Sequence, residues 1–184
     1  MSQWPTEMRV LTLTPDDHRI ARLTAAAIAI ALVESAVPSP LPGVKPGLAN
    51  IITLLVLLRY DWATAAWVTL LRVFAVSLLV GQFLAPGFVL SLAGATASLA
   101  VLCLVRPLVQ CMPGWFGPVT LSILAAIAHM LAQLLIVRFW LVPSPGVWVL
   151  APVFMGAALL FGTLNGLIVA WLLSGARASD PVAQ

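Results

Sequence analysis

A handful of side chains in an otherwise apolar chain carry groups that hold charge or strong hydrogen bonds: Glu34, Lys45, Asn50, Arg72, His129, Gln133 and Asn165. Arg72 stands in the middle of the run WATAAWVTLLRVFAVSLLV (62–80) and does not shed its proton in proteins. An arginine at that depth needs an anion. Two sources are open: the carboxylate of Glu34, forming a structural ion pair, or the anionic group of a bound ligand. His129 and Gln133 lie four residues apart, on one face of a helix. They are placed either to tie two helices together or to touch a ligand. No second histidine or carboxylate stands at a spacing that would complete a metal site. Reactive sets are missing too: there is no P-loop, GxSxG or HExxH. Asp16-Asp17 is followed by His18-Arg19-Ile20, so no DDxxD pair is present, and two acids before a helix read as a cap. These residue types point to binding without covalent chemistry and without a cofactor.

The stretch PGVKPGLANI (42–51) is the most informative. It leads into an apolar run with two prolines, two glycines, Lys45 and Asn50. From Pro46 to Arg59 the run covers only about 14 residues, roughly 21 Å of helix, against a hydrocarbon core of about 30 Å. Either the bilayer thins there, or the helix starts below the outer surface and residues 38–46 dip in to meet it. Irregular backbone at membrane depth is tolerated only against protein or a wet cavity. Short spans interrupted by Pro and Gly mark binding sites in membrane transporters. Gly43 and Gly47 permit unusual dihedrals. The free N–H groups at such a helix start, with Lys45, make a corner that attracts anions, where Gly47 and Asn50 would contact a ligand. The plainer reading is that Lys45 snorkels to the outer headgroups and the Pro and Gly residues only turn the chain.

These groups must be carried by spanning helices. The chain is 62% hydrophobic and 8% charged, with a mean hydropathy of +1.09, which excludes a water-soluble globule. The net charge of +3 comes from scattered basic residues, so a nucleic-acid partner is excluded as well. The fold class expected is an all-α integral membrane bundle of six transmembrane helices, over about 19–37, 46–59, 62–80, 86–105, 118–141 and 147–173. Segment 1–18 would be cytoplasmic, 19–174 the membrane domain and 175–184 a cytoplasmic tail. The polar first segment, with Glu7, Asp16 and Asp17, does not read as a secretory signal. Placing both termini inside puts Arg9, Arg19, Arg22, Arg59, Arg106 and Arg177 on the cytoplasmic side and leaves Lys45 outside, as the positive-inside rule asks. Cys103 and Cys111 read as apolar fillers.

Small residues mark helix contacts. Ser91, Gly94, Ala95 and Ser98 form one face of the fourth span, and Gly156, Gly162 and Gly166 recur along the sixth. In the first span, Ala25 and Ala29 form one smooth stripe with Val33, and Ala27 and Ala31 form its neighbour.

PGVKPGLANI, Leu71-Arg72, Gly81, SLAGATAS (91–98) and HMLAQ (129–133) together resemble a family of small bacterial membrane proteins. That family is labelled Gx transporter or heptaprenyl diphosphate synthase component I. The resemblance covers about residues 20–174, and it departs from the family pattern at Met130 and Ala132. The family is similar in topology to the substrate-binding S components of energy-coupling factor (ECF) transporters. That likeness implies a six-helix protein of the bacterial cytoplasmic membrane that binds a small molecule from outside. Residues 38–46 would form part of a lid, and Ala25/Ala29 or Ala27/Ala31 would dock a coupling membrane subunit driven by ATPases. The synthase label implies instead a non-catalytic partner in prenyl diphosphate or quinone metabolism. A structural membrane subunit is the third reading.

Overall fold

The computed structural model describes residues 14–36, 47–112 and 114–178. All regular structure among them is helical: α1 (Pro15–Ala36), α2 (Ala49–Arg59), α3 (Trp62–Leu79), α4 (Pro86–Cys111), α5 (Pro118–Ile136), a π-helical turn (Val137–Leu141) and α6 (Val147–Ala178). Four of the helical stretches are long and apolar enough to cross a membrane: Trp62–Leu79, Pro86–Cys111, Pro118–Leu141 and Val147–Gly175. They mark the chain as a multi-pass membrane protein. α1 carries Arg19, Arg22 and Glu34 within its apolar stretch. α2 has 11 residues, about 16 Å, and is too short to cross unaided.

The helix ends are cut by local chemistry. Thr14 and Asp17 cap α1 reciprocally: the Thr14 N–H donates to Asp17 Oδ2 at 2.8 Å, and the Asp17 N–H donates to Thr14 Oγ1 at 3.2 Å. Asp61 caps α3, accepting from the Thr64 N–H at 2.8 Å and its hydroxyl at 2.6 Å. α3 ends at Gly81, whose φ of +70° favours a residue without Cβ. There the Gln82 N–H reaches Ser77 O at 2.8 Å and the Gly81 N–H reaches Leu78 O at 3.2 Å, a Schellman closure.

α5 packs along both α4 and α6, and α1 packs on α3 and α2. The short α2 is central, touching α1, α3, α5 and α6. Its apolar side chains fill one half of the bundle: Ile51 and Leu54 pack with Leu102, Leu121, Ala125 and Val169. Small residues set the closest approaches. A Cβ on Gly166 would lie 2.5 Å from Val119 Cα, and one on Gly162 would lie 3.1 Å from Ile123 Cα. Gly156 meets nothing within 4 Å, so the expected contact there is absent.

Other readings also need correction. The second helix starts at Ala49, because Gly47 sits in left-handed conformation (φ +69°) and cannot continue a helix. The fifth helix changes to a π turn for its last five residues. Cys103 and Cys111 face outward and fill no core. Ala27 is fully buried and Ala31 turns to the interior, so of the two alanine stripes only Ala25 and Ala29 are presented outside.

Candidate functional site

α2 stops partway through the bundle, and the described residues do not fill the space beyond its N-terminus. A cavity of about 800 Å³ lies there, with walls from all six helices. Glu34, Gly47, Asn50, Arg72, His129 and Gln133 all line it, as does Asn165. Its other walls are largely apolar, including Val73, Phe88, Met130, Phe154 and Phe161. It extends to Gln82 and Ser144, in the α3–α4 and α5–α6 connections, so it reaches toward that end of the bundle. Lys45, Pro46 and the rest of the 38–46 segment lie outside the described residues.

The α2 tip is held from two sides. The Gly47 N–H donates to Glu34 Oε1, and Gly47 O accepts from Asn165 Nδ2 at 3.2 Å. Glu34 thus places a carboxylate at the positive end of α2, where backbone N–H groups and the helix dipole favour negative charge. The free anion corner expected from the sequence is therefore taken in part by the chain's own carboxylate. Asn50, the second residue of the helix, receives the Arg72 guanidinium at 3.4 Å from Nη2 to Oδ1.

Arg72 and Glu34 are only 7% and 8% exposed, yet no ion pair closes between them; within 4.0 Å the described residues form one, Arg19–Asp16. A guanidinium has five N–H donors, and among the described residues a single long hydrogen bond engages it. This leaves Arg72 able to take an anion.

His129 lies flat on α4. A Cβ on Gly94 would fall 2.5 Å from its Nε2, so only glycine lets the ring sit there. Its Nδ1 is 3.4 Å from Ser98 Oγ, which also bonds Ala125 O at 2.9 Å. Gln133 Nε2 donates to Leu90 O at 3.4 Å. Both side chains thus make an interhelical contact and face the cavity. Both contacts are longer than a usual hydrogen bond, which leaves the groups able to turn to another partner. Met130, at the departure from the family pattern, packs with Leu134, Val147 and Ala158.

Asn165 was not among the binding residues expected, although a lone amide in the apolar run of α6 is a signal in itself. Thr53 and Thr69 also escaped notice. Their hydroxyls pair at 2.8 Å beneath the cavity, beside a smaller void of about 20 Å³. No group of three or more His, Cys, Asp or Glu side chains gathers as metal ligands would, among the described residues.

The family model described as heptaprenyl diphosphate synthase component I matches residues 23–172, so the chain belongs to that family. No curated protein and no solved structure matches it.

Proposed function

With membership of that family as the premise, we propose that the protein is a non-catalytic, ligand-binding subunit of a small-molecule uptake system in the bacterial cytoplasmic membrane. The carrying observation is the cavity above the truncated α2, with Arg72 in its wall making one long hydrogen bond. A volume near 800 Å³ lies within the roughly 300–1,000 Å³ range of small-molecule sites, and an apolar lining with a few convergent polar groups is their usual make-up. In this reading Arg72 holds an anionic group of the ligand. Asn50, His129 and Gln133 supply hydrogen bonds, while the Gly47 backbone, engaged by Glu34, Asn165 and Asn50, holds the helix tip in place.

Six spanning elements with both termini inside complete the reading, α2 spanning together with the segment before it. Arg19 lies over the Tyr60 ring at 4.8 Å, which puts the start of α1 and the end of α2 at one end of the bundle. Arg59 and Arg106 fall near helix ends that the same topology places there, so the positive-inside rule makes that end cytoplasmic. The cavity then faces outward. Ala25 and Ala29 leave a smooth strip on α1 for an ECF-type coupling subunit.

The family description favours a second reading, a membrane partner in prenyl diphosphate metabolism. There the basic corner would hold a diphosphate and the apolar walls the tail. Gentle solubilisation followed by native mass spectrometry separates the two. Uptake function requires a small bound molecule, release of it in Arg72→Ala, and co-purifying membrane and ATPase subunits. A bound prenyl diphosphate with a soluble prenyltransferase supports the second reading and sinks the first.

A further inference from the structure

Granting that the cavity is a ligand site, its charge pattern says more about the ligand than the presence of Arg72 does. We propose that the site takes a zwitterion: a small molecule with an anionic group for Arg72, a protonated amine for Glu34, and an apolar body.

The geometry is a row along the α2 tip. Glu34 is bound to the Gly47 N–H, the Asn50 N–H returns to Gly47 O at 2.9 Å, and the Asn50 amide receives Arg72. An acid stands at one end of the row and a base at the other. The Arg72 guanidinium turns to Asn50, and no ion pair within 4.0 Å forms between Arg72 and Glu34. Buried unpaired charges are costly. Two that are opposite, in one cavity and held apart are offset together by a guest carrying the complementary pair. A simple anion answers Arg72 and leaves Glu34 facing it, while a simple cation does the reverse. Val73, Phe88, Met130, Phe154 and Phe161 furnish the apolar surface for the body of the guest.

The test uses the full chain in detergent or nanodiscs and matched probe sets. Each set is an amino acid, its deaminated acid and its decarboxylated amine, on phenyl, isobutyl and indolyl bodies. Binding is read by native mass spectrometry and thermal shift. The expected result is that zwitterions bind at least about tenfold tighter than either singly charged analogue, one tenfold step being about 1.4 kcal/mol. Glu34→Gln keeps an acceptor for the Gly47 N–H, so the fold has its tether, and it reverses the order so that the acid binds tighter than the amino acid. Arg72→Gln loses both. If the acids bind as tightly as the zwitterions, or Glu34→Gln leaves the order unchanged, the zwitterion is refuted while the cavity remains a ligand site. If no probe of any class binds, the inference and the cavity reading fall together.

Discussion

The two halves of the bundle, below and above the α2 tip, are built by the same neighbouring helices and differ in what lies between them. Below, α2 fills the centre, with Val56 fully buried and Leu54 nearly so. Polar groups there satisfy one another, as Thr53 and Thr69 do at 2.8 Å. Above, the helix has ended, and the described residues leave a cavity in its place. The polar groups at that boundary have long or few partners: Arg72 to Asn50, His129 to Ser98 and Gln133 to Leu90, each at 3.4 Å. The lower half is closed on itself, whereas the upper half keeps hydrogen-bonding capacity in reserve. The difference is one of incomplete satisfaction, made possible by the late start of one helix.

The largest expected effect tests the frame both halves share. Gly166→Ala would drive a Cβ against the Val119 backbone, which cannot move aside as a flexible side chain can. It should destabilise the protein by about 3 kcal/mol in a detergent unfolding titration. Gly156→Ala, in open space on the same helix, should be neutral or gain up to about 1 kcal/mol. Equal effects at the two positions would show that the α5–α6 seam does not hold the halves together.

In the upper half, Arg72→Ala should weaken binding of the ligand found by native mass spectrometry by about 10- to 100-fold, the worth of a charge-assisted hydrogen bond. Retained affinity would remove Arg72 from the site.

The lower half should respond in stability alone. Thr53→Val leaves the Thr69 hydroxyl buried without its partner and should cost about 1–2 kcal/mol. The double change Thr53→Val with Thr69→Val should recover most of that, a coupling that a double-mutant cycle measures directly. Additive losses would mean that the pair is not closed.

The smallest effect lies outside both halves. Asp61→Ala removes the α3 cap and should cost about 1 kcal/mol near neutral pH. Hydrogen bonds from the Thr64 hydroxyl and then its N–H hold the Asp61 carboxyl below its usual range. Since the folded value is the lowered one, this contribution is complete above the unfolded value of about 4 and is lost as pH falls through the folded value. The gap between wild type and Asp61→Ala should therefore narrow only in acid; a gap that narrowed near neutral pH would assign it to another group.

Much of the fold was legible because lipid leaves a chain few choices. Apolar runs separated by Pro and Gly had to become helices, and the ends at Thr14, Asp61 and Gly81 carry their own chemistry. The shortness of the second helix could be read from the distance between Pro46 and Arg59, although its true start waited on the φ of Gly47. The gathering of Gly47, Asn50, Arg72, His129 and Gln133 around one space was expected from depth and helical face. Harder to read was who bonds to whom. The pairing expected of Glu34 with Arg72 gave way to Glu34 with Gly47 and Arg72 with Asn50. Neither Asn165 nor the Thr53–Thr69 pair carried a spacing signal, because each depends on how two helices rotate against one another.

By itself the sequence determined helices, their apolar character and the shortness of α2, since these follow from local propensity and from hydration along one dimension. Tertiary structure alone decided that α2 sits at the centre, that Ala27 faces in while Ala25 and Ala29 face out, and that opposite charges share a cavity without touching. Those outcomes depend on helix rotation and on contacts between distant segments, set by side-chain fit at positions such as Gly94 and Gly166, which no local pattern encodes.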